Sequence, residues 1–327
     1  MMFSPAVLLA RARSAHALPL SLAALLFAVA AVLPPLPLPG PSYHHMVVLD
    51  ITQSMNTRDY ELDGKPVNRL DYAKHSLGQS LRTLPCGSRI GWGVFSEYRL
   101  LALMTPVEVC SNYHELLATL ANIDGQMSWA GASEVSKGLF SSIRALRDME
   151  QPPSLVFVTD GHEAPPLNPK MRPSFDGEPG LVKGLIVGTG GATLSPIPKL
   201  DLDGRPLGYW KADEVVQSNT ASRSGSSSAA QETMVDDSGL AIESTQASGT
   251  EHLSNLKGAH LRDLATQTGM RYEALASPDD LASALVDPAF ARQQSVPTEL
   301  GWVPALLGLL CLAWAYRPDL RLLRPGA

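Results

Sequence analysis

Hydrophobic positions fall into three regimes along the chain. At the two ends they run together: Ala17 to Leu33 is almost continuously apolar and carries on through Pro34, Pro35, Pro37 and Pro39, and Leu300 to Tyr316 is a second such run. Between them, short strand-like runs alternate with amphipathic helical patterns, the order expected of an α/β domain whose mostly parallel sheet is flanked by helices. Tyr43 to Leu49, Leu155 to Val158 and Leu181 to Val187 read as buried strands. Ile90 to Phe95 and Leu100 to Met104 read as a hairpin, and Arg271 to Leu275 as a further strand. Leu70, Ala73, Leu77, Leu81 and Leu84 recur at helical spacing up to Pro85 and Gly87. Helical patterns also cover Tyr113 to Leu120, Val135 to Leu146 and Leu261 to Thr268, and Pro278 to Leu285 opens a last helix with Ser277 as its N-cap.

The third regime is a stretch from about Ser218 to Ser254, rich in Ser, Thr, Gly and Ala and poor in aromatic and long apolar side chains. It buries too little surface to offset the entropy of ordering it, and reads as a mobile loop inserted in the domain. The chain therefore divides into a stub and apolar segment over 1–40, an α/β domain over 43–290, an apolar segment over 300–316 and a basic tail over 317–327.

Each apolar segment is close to the ~17-residue lower limit for a membrane-spanning helix. Arg11 and Arg13 precede the first, and Arg317, Arg321 and Arg324 follow the second. Basic residues favour the cytoplasmic side, so both ends point to the cytoplasm and the domain to the opposite side. Ala28-Val29-Ala30 also fits a signal-peptide cleavage site, so the first segment is either a retained span or a removed leader, and the domain is exported in both cases. The net charge of −6, with no Lys/Arg cluster away from the chain ends, argues against nucleic-acid binding. Of the three cysteines, Cys311 lies in the second apolar segment. Cys86 and Cys110 lie in the exported part, where a disulfide is permitted but not dictated.

In open α/β sheets ligands bind at the carboxyl ends of the strands, and two predicted strands end in an aspartate, Asp50 and Asp160. Asp50, Thr52 and Ser54 alternate in a D-x-T-x-S pattern, which in a turn leaving a strand aims a carboxylate and two hydroxyls at one pocket. Such hard oxygens suit Mg²⁺, Mn²⁺ or Ca²⁺. No G-x-G-x-x-G or phosphate loop follows the first strand, which disfavours nucleotide binding. His162-Glu163 lacks the second histidine of a zinc-protease helix, and no G-x-S-x-G elbow supports a serine hydrolase. Glu163 is expected on the rim of the ion site, His44 and His45 at the surface or strand edge, and Trp129 in the core.

These motifs, together with Gly131-Ala132-Ser133 before a helix and Thr159-Asp160-Gly161 after a strand, resemble the metal-ion-dependent adhesion site of von Willebrand factor A domains. The resemblance implies Asp50, Thr52, Ser54, Ser133 and Asp160 as ion ligands, with Thr52 standing for the commoner Ser and Ser133 for Thr. It runs from about His45 to Leu285, apart from the Ser-rich stretch, and is similar to bacterial membrane-anchored members encoded beside MoxR-type ATPases. Around Cys86, Gly93-Val94-Phe95-Ser96 and Pro106 to Cys110 it is most similar to accessory proteins of bacterial methanol oxidation. The resemblance implies a Rossmann-like fold held at a bacterial inner membrane with the domain in the periplasm. It also implies a bound Mg²⁺ (or Ca²⁺ or Mn²⁺) and docking of an acidic residue from a protein partner, and the open, hydroxyl-rich site favours binding over catalysis. The partner expected is a periplasmic metalloenzyme under maturation, such as methanol dehydrogenase. A metal-dependent hydrolase using the same ion is the alternative.

Overall fold

A computed structural model describes residues 5–168, 172–201, 203–216 and 249–316, with side chains from residue 18 onward. Most of the Ser-rich stretch and the basic tail at 317–327 lie outside the described residues. The chain divides into two compact units, Met1–Gly40 with Gln293–Ala327, and Pro41–Arg292.

The larger unit is built on a sheet of β1 (Leu36–Asp50), β4 (Arg89–Ser96), β5 (Arg99–Glu108), β6 (Ser154–Thr159), β7 (Gly184–Gly188) and β12 (Arg271–Ala274), in the order β12-β7-β6-β1-β4-β5. All neighbours are parallel except the β4–β5 hairpin. Side chains alternate between two buried layers, as a strand's two-residue period requires. Val47, Leu49, Trp92, Val94, Val156 and Val158 face α2 (Arg69–Ser80), α3 (Tyr113–Ala121) and α6 (Pro278–Leu285). Met46, Val48, Phe95, Leu155 and Phe157 face α4 (Val135–Arg147) and α5 (Gly258–Thr268). Burial on both faces explains why these strands read as unbroken apolar runs. Asn68 caps α2 by accepting from Asp71 N (2.7 Å), and Ser277 caps α6 from the expected position.

The pairing places β1 at the point where the chain order reverses: β4 lies on one side of it and β6 on the other. A crevice opens at the carboxyl ends of such strands.

Four short pairings went unread in the sequence. β2 (Tyr60–Leu62) and β3 (Lys65–Val67) form a hairpin across Asp63-Gly64, both with positive φ, and β9 (Pro198–Leu200) pairs with β10 (Pro206–Tyr209). β8 (Ser195–Pro196) pairs with β11 (Leu253–Ser254), so the last residues of the Ser-rich stretch are a strand where a loop was expected. β13 (Ala291–Thr298) pairs with β1.

Cys86 and Cys110 are disulfide-bonded, with Cα atoms 5.4 Å apart and a sequence separation of 24. Closing a loop of that length is worth roughly 3 kcal/mol. A Cys86→Ser/Cys110→Ser variant is therefore expected to unfold at lower urea by about that free energy, and an unchanged midpoint would contradict it.

In the smaller unit, α1 (Pro5–Val32) packs against α7 (Trp302–Ala315), with Gly308 lying against the Phe27 ring. Large apolar side chains stand exposed on both, among them Leu25, Val32, Leu309, Leu310 and Trp314. No helix among the described residues is long and apolar enough to cross a membrane. This differs from the two spans expected from the sequence. The 14 residues of α7 reach roughly 21 Å, short of a hydrocarbon core about 30 Å thick.

Candidate metal centre

The last residue of β1, Asp50, lies opposite Phe95 of β4 and beside the end of β6, and is fully buried. Its Oδ1 accepts from both the Thr52 N–H (2.9 Å) and the Thr52 hydroxyl (2.7 Å). Its Oδ2 accepts from the Thr159 hydroxyl at 2.6 Å, and that hydroxyl in turn accepts from Gly161 N at 3.0 Å. Gly161 sits at φ 77°, which suits a residue without a side chain. Thr159 thus ties the two aspartate motifs together. It belongs to the T-D-G turn, yet the sequence reading did not include it among the five site residues.

Asp160, next to Thr159, is also fully buried. Burial, and after it the negative charge of Asp160, push the Asp50 carboxyl up to about 7. Burial acts the same way on Asp160, but Arg69 and then His162 outweigh it and hold that carboxyl below its ordinary range. The pair is therefore asymmetric: Asp160 keeps its charge and Asp50 holds its proton more tightly.

Ser54 is buried in a short 3-10 turn over Gln53–Asn56, and its hydroxyl has no hydrogen-bond partner. Ser133 is held between the ends of β4 and β6. It exchanges backbone hydrogen bonds of 2.7 Å with Ala164, while Glu134 N donates to Glu97 O. Its hydroxyl is likewise buried and unpartnered. Glu134 Oε1 is buried without a partner as well, and its other oxygen pairs with Lys137. Buried polar atoms are rarely left unsatisfied. Two orphaned hydroxyls at the strand ends that carry two buried carboxylates fit a hard dication, which would satisfy the hydroxyls and favour the ionised form of Asp50.

Four expectations about neighbouring residues are corrected. Glu163 is not a free rim carboxylate: its Oε1 accepts from Ser136 N (2.9 Å), Ser136 Oγ (2.6 Å) and His260 Nε2 (3.0 Å), capping α4 from across the fold. His44 and His45 are buried, not at the surface. His45 Nε2 meets the Leu285 carbonyl at 2.8 Å, and burial lowers its pKa to about 4, so it sits in the core as a neutral ring. Trp129 is 44% exposed, because the loop carrying it stands outside the apolar layers.

Arg69 was not among the expected site residues, yet its side chain is fully buried and bonded to both Asp59 and Asp160. Its signal was available. Position 69 lies one turn before Ala73, on the apolar face of the helical pattern, where a charge calls for a partner.

Residues 45–162 match the von Willebrand factor type A domain family. Over those residues the chain matches a VWA domain. The matched stretch includes all five expected ligand positions, from Asp50 to Asp160. No curated protein sequence matches the chain. Among solved structures, it is similar to an aerotolerance-related membrane protein from Bacteroides fragilis carrying multiple mutations to serine, at 16% identity and a TM-score of 0.46, covering 75% of this chain and 96% of that one. It is also similar to the conserved hypothetical protein BatB from Bacteroides thetaiotaomicron, at 15% identity and a TM-score of 0.47, with the same coverage. A third is the PilB minor pilin from Streptococcus sanguinis, at 10% identity and a TM-score of 0.41, covering 77% of this chain and 61% of that one.

Proposed function

We propose that the VWA domain of this chain holds one divalent cation, Mg²⁺ or its Ca²⁺ or Mn²⁺ equivalent, and docks an acidic side chain of a protein partner there. The ligands are Asp50, Thr52, Ser54, Ser133 and Asp160. The observation that carries this reading is the pair of buried, unpartnered hydroxyls of Ser54 and Ser133 at the strand ends that bear Asp50 and Asp160. When bound, the ion supplies an electrophilic centre that a carboxylate from outside can join by displacing water. The chain's own residues do the positioning. Thr159 and Thr52 fix the Asp50 oxygens, and the Glu97 and Ala164 backbone fixes Ser133. The half-exposed Trp129 offers an apolar contact beside the serine loop.

The hydrolase alternative is disfavoured. Water activation needs a free base near the ion; Glu163, three residues after Asp160, is held through Oε1 by Ser136 and His260, and Glu134, next to Ser133, is ion-paired with Lys137.

We read the terminal apolar runs, flanked by arginines on their chain-end sides, as holding the chain in a bacterial inner membrane with the domain in the periplasm. The exposed apolar faces of α1 and α7 suit lipid better than water. The role is that of an assembly or maturation factor linked to a MoxR-type ATPase. The sequence resemblance makes a periplasmic dehydrogenase such as methanol dehydrogenase the first partner to try.

The test is capture of that enzyme by the full chain in detergent, with Mg²⁺ or with chelator, and with Asp50→Ala alongside. Capture that needs both the ion and Asp50 is the expected result. Capture indifferent to both would mean that docking uses another face.

A further inference from the structure

Arg69 makes six hydrogen bonds from a position without solvent exposure. Nε donates to both oxygens of Asp59 (3.0 and 3.1 Å) and Nη2 to Asp59 Oδ2 (2.7 Å) and the Ser254 carbonyl (3.2 Å). Nη1 donates to Asp160 Oδ2 (2.5 Å) and Ser254 Oγ (2.7 Å). All five N–H donors of the guanidinium are therefore used, and the planar fork is fixed from three sides. The enclosure is close. A Cβ at Gly190, φ 113°, would lie 2.8 Å from Arg69 Nε, and the Gly191 N–H holds Asp59 Oδ2 at 2.9 Å. Asp160 in turn is engaged at both oxygens: Oδ2 accepts from Arg69 and Ser254, and Oδ1 from His162 N.

A buried guanidinium so placed does two things to a cation site built on Asp160. It compensates the buried carboxylate when no ion is there, and it competes for the same oxygen and repels the ion when one arrives. We propose that Arg69 is the resident counter-cation of the ion site, a positioning residue that keeps the empty domain folded and weakens its hold on the ion. The ion–Arg69 competition then makes ion binding reversible, so that the domain can release its ion and partner without unfolding. The inference rests on the ion-site reading given above.

Its signature is one that a merely structural arginine would not produce. Arg69→Met removes the repulsion, so the chain should bind Mg²⁺ or Mn²⁺ about tenfold more tightly by titration calorimetry. The same variant should melt well below wild type in chelator and recover most of the difference when the ion is added. Asp59→Asn retains Arg69 but strips its other carboxylate, leaving more positive charge against the site. It should bind the ion more weakly by roughly fivefold. Opposite shifts in the two variants support the proposal, and Asp59→Asn decides alone if Arg69→Met does not fold. Weaker binding in both, or unchanged affinity, overturns it. A wild-type chain that shows no isotherm with either ion sinks the ion site itself, which is a separate failure visible before any variant is made.

Discussion

Asp50→Asn should cost the VWA domain its ion and, in chelator at neutral pH, leave the fold at least as stable as wild type. The two halves of that expectation have one cause. Changes to outer-shell partners of a metal already cost about 10–100-fold in affinity. Asp50 is proposed as an inner ligand and the carboxylate opposite Asp160, so its neutral replacement should lose at least roughly a hundredfold. Stability runs the other way. In the folded, ion-free chain, burial and Asp160 raise the Asp50 carboxyl from 3.8 to about 7. Between roughly pH 4 and pH 7 the folded state holds a proton that the unfolded chain has released. The contribution of this group to stability is therefore largest at low pH and shrinks as pH rises through that window. Asparagine does not titrate, so its chelator melts should lack this slope. An ion bound to the wild-type chain would take over where the proton leaves, so Mg²⁺ should raise the melting temperature more at pH 7.5 than at pH 5.5. Equal ion-induced shifts at the two pH values, or a variant that binds Mg²⁺ like wild type, would count against Asp50 as a ligand.

The parts of this fold that were legible are those where burial alone decides. β1, β6 and β7 are covered on both faces, so their unbroken apolar runs announced strands, and the aspartates at the ends of β1 and β6 announced the crevice. The α6 N-terminus was legible because Ser277, Pro278 and Asp280 supply cap, first turn and capping donor together. The hairpin of β2 and β3 was not, although Asp63-Gly64 is a strong two-residue turn signal. Its three-residue strands are half polar and carry no alternation to read. The early start of β1 at Leu36 was hidden by the prolines that extend the apolar run.

Within the site, the chemistry of single side chains was readable and their partners were not. Asp50, Thr52, Ser54 and Asp160 sit in short motifs whose spacing carries the information. Arg69 reaches Asp160 across 91 residues and Ser254 across 185, and no local pattern encodes such contacts. Glu163 was misread for the same reason. Its acceptor role depends on Ser136, 27 residues earlier, and on His260, 97 residues later. Sequence spacing thus located the oxygens, while the balance of charge around them came from long-range packing.

That packing is most exposed to test at Phe95. The ring is fully buried on the α4 face, tilted against Phe157 at 5.4 Å, and belongs to the residue paired with Asp50. On its other side α4 comes so close that a Cβ at Gly138 would lie 2.0 Å from the ring. Ring and glycine therefore share one volume. Phe95→Ala is expected to cost about 3–5 kcal/mol, because the cavity lies under a strand held by its neighbours and cannot close freely. Gly138→Leu alone should also destabilise, by about 1–3 kcal/mol, since the rigid ring cannot yield. In the double variant the leucine enters the space that the ring leaves. The two penalties should then add to clearly less than their sum, by at least about 1 kcal/mol in a urea double-mutant cycle. Ser133 sits five residues before Gly138, just ahead of α4, so each single variant should also weaken the ion while the pair restores part of the loss. Strict additivity in the cycle would mean that α4 is not seated against Phe95, and the position assigned to Ser133 would fall with it.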